Sequence, residues 1–219
     1  LLAHEYLKTG DETLAECTAE LFSSWVKQAT RPAEDVSGYE TLCWRTIECG
    51  IRMGANWPYT LFAFYRSPSF SDDLLVDWYK SVWEHGMRLS TQYRIGNWLI
   101  MEMNGLGHIG ILYPMFRQSA AWLQQAIASM EAELDRQIYP DGFQYELSTN
   151  YHQVTLNNYQ RLMEIANAFD IALPQSLNEK LVNAILLHIR LMMPDKTLPD
   201  LNDGTRLKVA EAIRVQQRL

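Results

Sequence analysis

The sequence predicts an all-α protein. Three observations carry this: apolar residues recur at helical spacing along nearly the whole chain, no segment alternates apolar and polar residues as a half-buried strand does, and the breaks between helical stretches are short. Helices joined by short turns pack side by side as antiparallel hairpins. Periodicity by itself leaves a bundle, a solenoid and a toroid open, and there is no fixed-period repeat of the tetratricopeptide kind.

Leu1 to Gly10 reads as the interior of a helix and lacks the basic start and apolar core of a leader, so a preceding segment is expected. Asp11–Gln28 opens on acidic residues and carries Leu14, Leu21, Phe22 and Trp25 at helical spacing. After a break at Thr30-Arg31-Pro32, a helix is expected from Gly38 to Ala55. Asn56-Trp57-Pro58 interrupts it, and Tyr59–Tyr65 is a short further piece. Ser67-Pro68-Ser69 makes a turn, and Asp72 and Asp73 stand at the head of a helix to about Tyr93, where their charge suits the positive helix end. Gly96–Tyr113 follows, then Pro114–Ile138 with Pro114 as its starter. Tyr139-Pro140-Asp141-Gly142 has the composition of a tight turn. Asn150–Phe169 and Ser176–Met193 are the last long helices. Pro194 and the Pro199–Gly204 stretch form a loop before a basic helix running to Leu219.

A chain of 219 residues suffices for one sizeable core, so a single helical domain over 1–219 is expected. The longest apolar stretch, Ala184 to Met193, is interrupted by His188 and Arg190, and no run is long enough for a membrane span. A net charge of −7 lacks the basic footprint that nucleic acid requires, and it disfavours a highly sulfated substrate unless a cleft gathers its own arginines. Cys17, Cys43 and Cys49 have neither disulfide nor zinc spacing, and Cys43 and Cys49 are expected as buried thiols. His4, His85, His108 and His188 show no paired ligand spacing, so neither a metal nor another cofactor is expected.

The chemistry gathers in two segments. Gly96-Asn97-Trp98 places an amide and an indole at a helix start, and Asp141 to His152 places Tyr151 and His152 at another, 54 residues after Asn97. Asn97 suits either a helix cap or a carboxylate grip, and Trp98 either core or a sugar-stacking platform. Asn150 and Gln153 have the spacing of a helix-start box, which puts Tyr151 in the first turn, where the positive helix end favours a phenolate. Gly105, Gly107 and Gly110 lower helix propensity by about 1 kcal/mol each relative to alanine, which close helix packing or the approach of a ligand would explain. Asp141 and Glu146 offer the two carboxylates of a glycosidase, although Asp141 sits in a turn. No Gly-x-Ser-x-Gly, phosphate loop or dinucleotide fingerprint is present.

Taken together, Gly96-Asn97-Trp98, Glu102-Met103-Asn104-Gly105-Leu106, Gly110 to Phe116, Ala121-Trp122 and Gln137 to Ser148, ending at Tyr151-His152, resemble the heparinase II/III family of polysaccharide lyases. The likeness is strongest from Trp44 to Tyr159. It implies an incomplete (α/α) toroid, followed in the family by a β-sandwich domain that has no counterpart in this sequence. It further implies β-elimination on an acidic, uronate-containing polysaccharide, such as heparan sulfate, heparosan or alginate, in a periplasmic or secreted setting. Asn97 matches the asparagine that neutralises the uronate carboxylate, and Tyr151 the tyrosine that acts as acid and, for some substrates, as base. Trp98 stands where some members have histidine, and Gln144, Glu146 and His152 match positions near the substrate cleft. The alternatives are a non-catalytic carbohydrate-binding helical module and a toroid glycosidase using Asp141 and Glu146.

Overall fold

The computed structural model describes residues 1–38 and 41–210. Nine α-helices are present among them: α1 Leu2–Thr9, α2 Glu12–Gln28, α3 Thr46–Ile51, α4 Trp57–Phe64, α5 Asp72–Thr91, α6 Asn97–Leu112, α7 Ser119–Gln137, α8 Thr149–Ala168 and α9 Gln175–Arg190. The only β pairing among the described residues is two isolated bridges, Ile138 with Gln144 and Thr197 with Lys208. The basic helix expected to reach Leu219 falls largely outside the described residues, as do positions 39 and 40 of the helix expected from Gly38.

Side-chain caps start three of the helices, α2, α5 and α8. Asp11 caps α2 by accepting from the Thr13 N–H, and Ser71 caps α5 by accepting from the Leu74 N–H, with Asp72 and Asp73 in the first turn. Two expectations need correction. Pro114 does not start a helix: residues 113–118 form a non-helical connection, and α7 begins at Ser119. The expected Gly38–Ala55 helix is instead a 3-10 turn at Leu42–Trp44, then α3, then a wide π turn at Arg52–Asn56 leading straight into α4. Pro58 lacks an N–H and cannot continue the α ladder. The Trp57 N–H reaches back five residues to the Arg52 carbonyl, so the helix widens rather than breaks.

Packing sorts the helices into two rows. α3, α6 and α8 touch in one row, and α2, α5, α7 and α9 in the other, with the hairpins α5–α6, α6–α7 and α8–α9 joining them. This is the layered arrangement of an incomplete (α/α) toroid. α6 lies at its centre and is enclosed almost all round from Leu99 to Ile111, as an apolar helix flanked by α3, α5, α7 and α8 must be. Its glycines serve this packing. A Cβ on Gly105 would come within 2.6 Å of the Gly50 carbonyl oxygen on α3, and one on Gly110 within 2.8 Å of the Ser119 carbonyl oxygen on α7. Cys49 is buried, as expected, whereas Cys43 in the 3-10 turn is exposed, because that turn leaves the helical face that would have covered it. Among the described residues no helix is long and apolar enough to cross a membrane.

Candidate active site

Asn97 is the first residue of α6, and the helix cap is Gly96. Gly96 has φ +89° and ψ −154°, a conformation that a side chain strongly disfavours, and a Cβ there would stand 3.0 Å from the Tyr145 hydroxyl. The sharp turn frees the Asn97 side chain from its own helix, so the capping alternative does not hold.

The Asn97 amide is held from three sides. Its Oδ1 accepts from Gln144 Nε2 and from Thr155 Oγ1, each at 3.2 Å, while Nδ2 donates to Glu146 Oε2 at 2.7 Å. One amide therefore joins α6, α8 and the 138–148 loop. That loop is folded back on α7: the Tyr145 N–H donates to the Gln137 carbonyl at 2.7 Å and the Tyr139 N–H to that of Phe143 at 2.8 Å. Asp141 is exposed at its tip, where its carboxylate accepts from the Phe143 N–H at 2.9 Å. It thus has a turn-forming role.

α8 is capped by Ser148, whose hydroxyl accepts from the Tyr151 N–H. The expected Asn150–Gln153 box is displaced: Asn150 pairs with Thr205, and Gln153 donates to Asn157. Tyr151 and His152 nevertheless lie in the first turn. Tyr151 is 38% exposed, and its hydroxyl has no hydrogen-bond partner among the described residues. Thr155, which holds Asn97, is four residues further along the same helical face, about 6 Å down the axis. This register brings Asn97 beneath the Tyr151 end of α8.

Trp98 is partly buried, with the guanidinium groups of Arg45 and Arg94 at 5.9 and 5.8 Å from its ring centre. Arg45 is also paired with Glu48, so its charge is partly offset. Gln144 and His152, expected as substrate contacts, are enclosed. Gln144 acts on Asn97 from below. His152 sits 3.0 Å, through Nε2, from the Ala184 carbonyl of α9, with its ring against Phe143 and His188. Helical phase could not reveal this, because α9 covers that face. Sequence reasoning missed Thr155, Glu133, Gln137 and Tyr145. Only Thr155 left a signal, its four-residue spacing from Tyr151.

Burial pushes His152 and His108 down to about 4, and His85 and His188 down to about 3. Unfolding exposes all four to water, where they titrate near 6.5, so the unfolded chain binds more protons between those limits. Resistance to urea is therefore expected to be level above pH 6.5 in respect of these groups and to fall steadily from there toward pH 4. Glu102, pushed up to about 7 by burial, acts in the opposite sense between 4.5 and 7, as one group against four. Unfolding midpoints measured across pH 4–8 check this; a midpoint that does not change between 6.5 and 4 would mean that the histidines are not buried neutral.

Comparison with known proteins identifies the family and the fold. The family model for the heparinase II/III N-terminus matches residues 1–218. A heparin-sulfate lyase of Pedobacter heparinus is 28% identical over 93% of this chain and 31% of its own length, and one of Bacteroides stercoris is 25% identical over 95% and 34%. Among solved structures, a heparinase III superposes with a TM-score of 0.83 at 24% identity, covering 99% of this chain and 36% of its own. A heparan sulfate lyase from Pedobacter heparinus superposes with a TM-score of 0.73 at 29% identity, covering 90% and 31%. The chain thus spans about a third of the length of these relatives.

Proposed function

The chain belongs to the heparinase II/III family, and from that premise we propose that it forms the helical wall of a polysaccharide lyase cleft. Its substrate would be a uronate polymer of the heparan sulfate class, cleaved outside the cytoplasm, with a β-sandwich domain as the opposing wall. The observation that carries the reading is the Asn97 amide, fixed by Gln144, Glu146 and Thr155 one helical turn from the level of Tyr151.

The reaction is a β-elimination. The uronate carboxylate docks on Asn97, whose Nδ2 carries two hydrogens, one taken by Glu146 and the other free for the substrate. Removal of the C5 proton pushes charge onto that carboxylate, and an amide already oriented toward it stabilises the charge without reorganising. Tyr151, exposed at the cleft and without a hydrogen-bond partner of its own among the described residues, takes the C5 proton as phenolate and then, as phenol, gives it to O4. The C4–O4 bond breaks, its electron pair leaves on O4, and the C5–H pair becomes the C4–C5 double bond. Trp98 offers a stacking face to a neighbouring sugar and Arg94 beside it a positive charge, Arg45 being paired with Glu48.

The test is to incubate the intact protein with uronate polysaccharides and follow both unsaturated-uronate absorbance and reducing ends. A lyase raises both, a toroid glycosidase raises reducing ends alone, and a binding module raises neither. Asn97→Ala is expected to lower turnover by about 10²-fold, as loss of one charge-stabilising donor does. An unchanged rate would remove Asn97 from the mechanism.

A further inference from the structure

Beneath Asn97 lies a chain of polar side chains that runs through Gln144 to two groups the mechanism above does not use. Glu133 on α7 is 2% exposed, Gln137 one turn later 1%, and Gln144 0%. Glu133 Oε1 accepts from the Gly96 N–H at 3.1 Å and from Gln137 Nε2 at 2.9 Å, and its Oε2 pairs with Arg136 at 3.2 Å. Gln137 Oε1 accepts from Gln144 Nε2 at 3.2 Å. That same Nε2 donates to Asn97 Oδ1, while Gln144 Oε1 accepts from the Glu146 N–H at 3.0 Å.

The geometry points to Glu133 and Gln137 as positioning residues for Asn97: together they set both the backbone that precedes it and the direction in which its amide faces. This rests on the lyase reading of Asn97. An amide is nearly symmetric in shape, so only the polarity of its neighbours decides which end points where. A carboxylate can only accept. Gln137 must therefore turn its NH2 to Glu133 and its carbonyl to Gln144, and Gln144 must turn its NH2 to both Gln137 and Asn97. The Glu146 N–H, which can only donate, enforces the same orientation of Gln144 from its other end. Asn97 is left with its carbonyl inward and its NH2 outward, the direction a uronate requires. The same carboxylate oxygen pins the Gly96 N–H, so the glycine turn and the amide share one anchor.

The test uses Gln137, which touches neither substrate nor Asn97. In the intact protein, Gln137→Met removes the link at similar volume. Its turnover is expected to fall about ten-fold, less than loss of the donor itself, with KM changing by less than about three-fold. Gln137→Glu places a second carboxyl about 3 Å from Glu133, where the two cannot both ionise. While a shared proton is present, that residue again donates to Glu133 and accepts from Gln144. Turnover is therefore expected near the wild-type level at low pH. As the proton is lost the two carboxylates repel, and the side chain at position 137 is driven away from Glu133 and out of reach of Gln144. Turnover then falls toward that of Gln137→Met along a pH limb that the wild type lacks. Side-chain NH2 signals of Asn97 in ¹⁵N-labelled protein should show that added titration in Gln137→Glu and not in the wild type, where Glu146 is the carboxylate that meets Asn97 and Glu133 is paired with Arg136, whether or not turnover is measured.

Wild-type turnover by a folded Gln137→Met, or an Asn97 signal in Gln137→Glu that ignores pH, would overturn the proposal. Asn97→Ala in the same assay separates the two levels. Normal product formation by that variant sinks the lyase reading, whereas a crippled Asn97→Ala beside unaffected Gln137 variants sinks only the relay.

Discussion

Tyr151→Phe is expected to cut formation of unsaturated product by about 10²–10⁴-fold, the range for loss of a positioned general acid–base group. The substitution removes one oxygen and nothing else. That oxygen has no hydrogen-bond partner among the described residues and the side chain is exposed, so the fold does not depend on it. Thermal stability should therefore stay within about 0.5 kcal/mol of the wild type, as for surface changes generally. The Ser148 cap that organises this turn uses the Tyr151 backbone N–H, which phenylalanine keeps. Normal absorbance growth at saturating polysaccharide would remove Tyr151 from proton transfer. A large loss accompanied by a fall in melting temperature would instead indicate a role in the fold.

Gly105→Ala is expected to have the largest effect on stability of any single methyl addition to α6. The new Cβ would meet Gly50 on α3 at its carbonyl oxygen, 2.6 Å away, and at its Cα, 2.7 Å away. Backbone atoms cannot rotate aside as a side-chain tip can, so the two helices must separate. Gly107 is a useful contrast: its nearest neighbour is a Leu162 methyl, also at 2.6 Å, which a rotamer change can move. Overpacking of a rigid contact costs about 1–3 kcal/mol or more, against which alanine returns about 1 kcal/mol of helix propensity. A contact with rigid backbone lies at the upper end of that range, so a net loss of about 2 kcal/mol is expected, which should lower Tm by roughly 4–8 °C in a chain of this size. Gly107→Ala should lose less. Equal melting temperatures for both variants would mean that α3 and α6 do not meet backbone to backbone.

Much of this was legible from residue order. Helical periodicity located the long helices to within a few residues, and the glycines of α6 announced a close helix contact before its partner was known. Asn97, Glu146 and Tyr151 stood out from their segments, and the structure joins Asn97 to Glu146 and sets Tyr151 on the helix that holds Asn97. Two of the misses share one cause: the Asn150–Gln153 spacing and the phase of His152 are local signals, and each was overruled by a contact from elsewhere in the chain. Asn150 is taken by Thr205, and His152 is covered by α9.

Residue order alone determined the helical class and the approximate helix limits, and it singled out the two segments that meet around Asn97, because periodicity, capping and turn preference act over a few residues. Only the tertiary structure decided which groups meet. Asn97, Gln144, Glu146 and Thr155 converge, and Glu133 and Gln137 stand behind them, because α6, α7 and α8 are rotated and staggered to fill a common core. That rotation follows from the summed packing of many distant side chains, and no short stretch of sequence encodes it.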